Sequence, residues 1–233
     1  MPLQAILFGA IGTLVETSEL QCRAFNAAFA DANLDWTWDT ASYQDMLTIM
    51  GGRARIRHYA DKTNTLLTDA QVADLHTAKS AHFQQLMIER GLSLRLGVAE
   101  LIAAARAAGV RLAFVSTTGM DNITAIDTAL GEDSPFSHFE VVTHKATVAE
   151  GKPAPDVYTH VLAEMGLSPT EVLAIEDTRD SMLSAVNAGV ACVVTPGAYV
   201  TDQDFSEATA VAAPGQISNL GWLRSLCPAP VTE

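Results

Sequence analysis

Two adjacent carboxylates, Glu176 and Asp177, follow the apolar run Leu173-Ala174-Ile175. Paired acids at the end of a buried strand could hold Mg²⁺, which prefers oxygen ligands. The ordinary alternative is acidic capping of a following helix, with Thr178 taking part. Lys152 stands in Glu150-Gly-Lys-Pro-Ala-Pro-Asp-Val-Tyr158, just before a proline-initiated helix. Its ammonium could add to a helix N-terminus that already favours anions, or it could be a solvated surface lysine. Ser116, Thr117 and Thr118 follow another apolar run. Their hydroxyls and backbone N–H groups could bind phosphate oxygens, or could do no more than turn and capping chemistry. The fourth segment, Ile6-Leu-Phe-Gly-Ala-Ile-Gly-Thr-Leu14, is an apolar run closed by glycines and carries no reactive side chain before Thr13.

These groups need a scaffold that places strand ends side by side. Ala5 to Phe8, Arg111 to Ser116, Phe139 to Thr143, Val172 to Ile175 and Ala191 to Thr195 all read as strands. Helical patterns alternate with them. One runs from Val98 to Ala108 and stops at Gly109. Another is bracketed by Pro155 and Gly166, and a third ends near Gly189. Such alternation predicts an α/β fold with a doubly wound parallel sheet. Between Glu16 and Gly91 the character is helical. Leu20, Phe25, Ala28 and Phe29 share one face, and a long helix is expected from Asp69 to Arg90. The expected division is a core of residues 1–15 and 92–233, with a helical cap of residues 16–91 inserted after the first strand. Open parallel sheets form their sites beyond the carboxyl ends of the strands. Gly9, Ser116 and Glu176-Asp177 all fall at that edge. Gln216 onward is expected to be a surface helix followed by a Pro-containing tail.

Composition narrows the partners. The 233 residues are 48% hydrophobic and 18% charged, which suits a globular chain. The formal net charge of -13 disfavours nucleic acid and anionic membrane surfaces. Any phosphate site must be a local positive spot in a negative field. Cys22, Cys192 and Cys227 are widely spaced and odd in number, so reduced thiols in a cytoplasmic protein are expected. The N-terminal strand lacks a basic leader, so no signal peptide is expected. No apolar run reaches the roughly 18 residues needed to span a bilayer.

The order strand-Gly-Thr, strand-Ser, Lys-Pro, strand-Glu-Asp resembles the haloacid dehalogenase (HAD) superfamily from end to end. It resembles in particular its CbbY-like sugar-phosphate phosphatases. Glu16-Thr-Ser-Glu-Leu20, Arg23-Ala-Phe-Asn26, Leu34-Asp-Trp-Thr-Trp-Asp39 and Gly51-Gly-Arg-Ala-Arg-Ile56 look like the cap segments of that group. Thr195-Pro-Gly-Ala-Tyr199 and Asp204-Phe205 look like its C-terminal segment. The resemblance implies that Ser116, Thr117 and Lys152 contact a phosphoryl group. It implies Mg²⁺ at Glu176 and Asp177, and Glu19 and Arg53 as cap residues facing a small phosphorylated metabolite.

The departures are specific. The family's motif runs Asp-x-Asp-Gly-Thr-Leu. Its first Asp attacks phosphorus to give an aspartyl-phosphate, and its second is the general acid and base. Gly9 and Ile11 stand at those positions. Losing the nucleophile of a covalent mechanism costs roughly 10⁶-fold, or about 8 kcal/mol of barrier. Mg²⁺ also loses one carboxylate, so weak metal binding is expected. Two function classes follow. One is a HAD-like protein without aspartyl-phosphate catalysis that keeps at most weak binding of an inorganic anion or a phosphorylated metabolite. The other is an active hydrolase of a small phosphorylated metabolite by an altered route. With two acids gone, Lys152 is expected to face Glu176 and Asp177, either closing the site as an internal ion pair or leaving room for phosphate with a metal.

Overall fold

The computed structural model describes residues 3–9, 11–49 and 51–227. Six parallel strands form one sheet: β1 (Ala5–Gly9), β2 (Arg111–Val115), β3 (Val141–Val142), β4 (Val172–Glu176), β5 (Ala191–Val194) and β6 (Ala210–Val211). Their order is β3-β2-β1-β4-β5-β6. The chain winds outward from β1 in one direction and then in the other, so the strand order reverses at β1 and β4. β1 is central and every residue in it is buried. That explains its unbroken apolar sequence, because both faces are covered. Ile6 and Phe8 point into one core layer, with Leu101, Ile126 and Leu223. Ala5 and Leu7 point into the other, with Val161, Met182 and Val194.

Ten α-helices accompany the sheet among the described residues. They are α1 (Ile11–Leu14), α2 (Ser18–Asp31), α3 (Thr40–Met46), α4 (Gly52–Lys62), α5 (Asp69–Arg90), α6 (Val98–Ala107), α7 (Met120–Leu130), α8 (Asp156–Met165), α9 (Arg179–Asn187) and α10 (Leu220–Ser225). α2 to α5 follow one another with no strand between them. They enclose an aromatic core of their own. Phe25 packs against Trp38 at 4.7 Å between ring centroids, and Phe29 meets Trp38 edge-on at 4.9 Å. Asn26 clamps that indole's backbone, donating to Trp38 O and accepting from Trp38 N, both at 2.8 Å. α5 starts on a reciprocal capping box between Thr68 and Gln71. Its C-terminal half returns to the sheet layer, where Phe83 and Met87 join Ile6 and Phe8.

One expectation needs correction. The third strand spans Val141–Val142 only, because Phe139 closes a 3₁₀ turn (Phe136–His138) and stacks on Phe8 and Phe114. The last helix lies at the surface as anticipated, with Gly221, Arg224 and Ser225 exposed and one side anchored inward. Ile217 and Leu223 are buried in the same layer as Phe8. The Pro-containing tail beyond 227 lies outside the described residues. α8 ends as anticipated at Gly166, whose φ of 63° gives the left-handed cap that glycine adopts without strain.

Candidate active-site cleft

The strand register brings the expected groups together. Gly9 pairs with Val115 on one side of β1, and Phe8 pairs with Ile175 on the other. The carboxyl ends of β1, β2 and β4 therefore lie side by side, and Ser116 and Asp177 follow directly from two of them.

Lys152 does not serve the N-terminus of α8. Its Nζ lies 2.5 Å from Glu176 Oε1 and donates to Val115 O at 3.0 Å. The lysine side chain is 4% exposed and that of Glu176 0%. Tyr158, on the buried face of α8, donates its hydroxyl to the same Glu176 oxygen. Its ring centroid lies 5.3 Å from Lys152 Nζ. Burial, and then the Glu176 charge, push the Tyr158 phenol well above its ordinary range, so it stays a donor.

Asp177 is buried beside this pair but not in it. Burial first, and then the charge of Glu176, raise its pKa to about 7, against the pull of Lys152 and Arg95. Glu176 Oε2 and Asp177 Oδ1 are buried with no hydrogen-bond partner among the described residues. Neither acid caps α9: the helix begins after Thr178, which makes no side-chain cap bond.

Glycines make the acids' positions accessible. A Cβ on Gly9 would overlap the carboxylate carbon and both oxygens of Glu176. A Cβ on Gly12 would overlap Asp177 Oδ2. Glu176 therefore folds across the end of β1, into the volume that a side chain at position 9 would need.

Ser116 is buried and its backbone is fixed by Thr143. Ser116 N donates to Thr143 Oγ1 at 2.9 Å, and that hydroxyl donates to Ser116 O at 3.0 Å. Ser116 Oγ accepts from Thr118 N at 3.1 Å, so the turn chemistry weighed as its ordinary role is present. Thr117, half-buried, lies in this turn.

The cap residues have partners of their own. Glu19 is half-exposed and pairs with Arg90 at 3.2 Å across α2 and α5. Arg53 is exposed on the first turn of α4. Its charge reaches His76, whose pKa is lowered to about 4 by burial and then by Lys79, Arg53, Lys145 and Arg55. Basic groups of α4 and α5 thus gather near Lys145, which follows β3.

Four residues of this region escaped the sequence reading. Arg95 braces the turn after β1 by donating to Gly12 O (2.6 Å), Thr195 O (2.8 Å), Thr195 Oγ1 (3.2 Å) and Pro196 O (2.7 Å). Tyr158, Thr143 and the buried Lys79 are the others. Tyr158 had a faint signal, since it sits with Val157, Val161 and Leu162 on an apolar helical stripe. A lone arginine in a loop has none.

The protein's own donor set for Mg²⁺ is small. Mg²⁺ needs near-octahedral oxygen ligation. Glu176 and Asp177 offer one orphaned oxygen each, but the other Glu176 oxygen is held by Lys152 and Tyr158. Among the described residues no three His, Cys, Asp or Glu side chains come together as a metal-holding group. Nor is any helix among them long and apolar enough to cross a membrane.

Residues 3–189 match the haloacid dehalogenase-like hydrolase family. The chain is 39% identical over 206 residues to Protein CbbY of Cereibacter sphaeroides, covering 88% of this chain and 90% of that one. The crystal structure of CbbY from Rhodobacter sphaeroides in complex with phosphate aligns with a TM-score of 0.84 at 38% identity, covering 94% and 96% of the two chains. A mutant of that protein, in complex with xylulose-(1,5)bisphosphate, aligns equally well. The chain belongs to the haloacid dehalogenase-like hydrolase family, within its CbbY-like group.

Proposed function

We infer that this chain is a HAD-like protein that has lost aspartyl-phosphate catalysis and keeps at most weak binding of phosphate or a small phosphorylated metabolite. The observation that carries the reading is the volume beside Gly9, which the Glu176 carboxylate fills. In the family's reaction that place belongs to a nucleophile. Gly9 has nothing to attack with, and Ile11 cannot move a proton. Thr13 offers no substitute: its hydroxyl is buried and lies 3.4 Å from Ile175 O.

The remaining groups suit anion recognition. Ser116, the backbone at Thr117 and Lys152 correspond to the phosphate-contacting positions, and none of them depends on the missing acids. A phosphorylated metabolite as the ligand class is supported by the phosphate and xylulose-(1,5)bisphosphate complexes of CbbY. Weak rather than tight binding follows from Glu176 and Asp177, which repel an anion, and from the net charge of -13. Helices α2 to α5 would form the cap, residues 16–91, with Glu19 and Arg53 toward the ligand. Three free thiols, Cys22, Cys192 and Cys227, suit a reducing compartment such as the cytoplasm.

The competing reading is hydrolysis of a phosphorylated metabolite by an altered route. A turnover screen with Mg²⁺ separates the two. Xylulose-(1,5)bisphosphate and other sugar phosphates would be offered to the native chain and to the Gly9→Asp, Ile11→Asp double variant. The inference expects native turnover roughly 10⁶-fold below that of an intact covalent enzyme. Turnover by the native chain near an ordinary enzyme's rate, lost on Lys152→Ala, would establish the altered route instead.

A further inference from the structure

We propose that Glu176 is a built-in stopper of the anion site, a carboxylate that occupies the cleft and holds Lys152 until an anion displaces it. The proposal deepens the reading above and rests on it. Glu176 can cross the end of β1 only because residue 9 lacks a Cβ. The lost nucleophile and the blocked cleft are therefore one structural fact.

Lys152 is largely occupied by its own chain. An ammonium has three donors and no acceptor. One goes to Val115 O and one to Glu176 Oε1, which leaves at most one for a ligand. Phosphate would have to take the place of Glu176, since two anions compete for one buried cation. Tyr158 strengthens the stopper by donating to the same carboxylate oxygen. The cluster is also sealed: Lys152, Glu176, Asp177 and Ser116 are all buried. A groove of about 350 Å³ lined by Ala28, Leu34, Leu67 and Leu75 lies on the helical insert and shares no residue with this cluster.

The closure is not fully satisfied. Glu176 Oε2 has no partner among the described residues, and leaving a buried acceptor orphaned is unfavourable. A stopper that leaves an oxygen unpaired is easier to draw out than one bonded at both oxygens. The β4 backbone is tied to β1 and β5 by its register, so displacement would act on the Glu176 side chain.

The test uses inorganic phosphate titrated into the intact chain without divalent cations, followed by ³¹P NMR and calorimetry. Native protein is compared with Glu176→Gln, Glu176→Ala, Tyr158→Phe and the Glu176→Ala, Lys152→Met pair. Near-UV circular dichroism establishes that each is folded. The expected order of affinity is native below Tyr158→Phe, with Glu176→Ala at least tenfold tighter than native. The added Lys152→Met should abolish that gain. If Glu176→Ala does not fold, Glu176→Gln and Tyr158→Phe must still bind tighter than native. Equal affinity in native and variants overturns the stopper and leaves weak anion binding standing. A gain that survives Lys152→Met also overturns it. Phosphate binding in none of the proteins removes both the stopper and the anion-site reading beneath it.

Discussion

The carboxylate of Glu176 lies where the side chain of residue 9 would be, and Gly9 is what permits it. The two positions are 167 residues apart in sequence but share one volume at the ends of β1 and β4.

A double-mutant cycle measures that sharing. Gly9→Ala in the native background forces Glu176 out or strains the strand end, and overpacking of this kind costs about 1–3 kcal/mol. In a Glu176→Ala background the new methyl has room, so the same change should cost close to nothing. The difference between the two costs is the coupling between the sites. Urea unfolding of the four proteins gives it directly. An equal cost of Gly9→Ala in both backgrounds would show that Glu176 does not occupy the space.

Lys79 supplies a pH-dependent prediction. Its Nζ is buried in the helical insert, 4.6 Å from the Phe83 ring centroid and 5.0 Å from that of Phe25, with Gln21 Oε1 at 3.2 Å. His76 and Arg55 also face it. Burial, and then Arg55, lower its pKa from 10.5 to about 7. The unfolded chain therefore holds a proton between about pH 7 and 10.5 that the folded chain has given up. Over that window stability rises with pH, and it falls as pH drops toward 7. Lys79→Met keeps most of the packing and removes the charge. It should raise stability near pH 6.5 by about 1–4 kcal/mol and remove that component of the slope. Chemical denaturation at a series of pH values is the check, and a Met variant that is less stable at pH 6.5 would contradict it.

Much of the core was legible because both faces of its strands are covered. β1, β2, β4 and β5 read as apolar runs, and the alternation of strands with helices pointed to the doubly wound sheet. Phe139 misled because an apolar residue before a short edge strand looks like part of it. The gathering of Gly9, Ser116, Lys152 and Asp177 was readable from motif order. The ion pair of Lys152 with Glu176 was among the expected alternatives. Its second acceptor, Val115 O, was not readable, because it depends on where the end of β2 falls. The aromatic core around Trp38 was likewise invisible, since it depends on how α2, α3 and α4 lean together.

The cation already beside Glu176 bears on metal affinity. Lys152 satisfies one carboxylate oxygen, and Asp177 is the acid buried beside that pair. Mg²⁺ gives up its water reluctantly and requires near-octahedral ligation. Calorimetry at neutral pH should find Mg²⁺ binding weaker than micromolar. Lys152→Met should change the heat of binding, because it frees Glu176. Tight micromolar binding to the native chain would mean that Glu176 leaves Lys152 readily, which this geometry does not anticipate.

Arg95 is the residue whose loss should reach the cleft from outside it. One guanidinium joins Gly12 O to Thr195 and Pro196, so it ties the turn after β1 to the turn after β5. Asp177 lies against Gly12, so a looser turn would give that acid more room. Each net hydrogen bond contributes about 0.5–1.5 kcal/mol, and more from a charged donor. Arg95→Met should therefore destabilise the chain by roughly 2–4 kcal/mol. Arg95→Lys should rescue little of it, because an ammonium is a point donor and cannot span carbonyls on two turns. Thermal or urea unfolding reads the loss, and amide exchange at Gly12 and Thr13 reads the loosening. Full rescue by lysine would show that charge alone, and not the reach of the guanidinium, holds the two turns together.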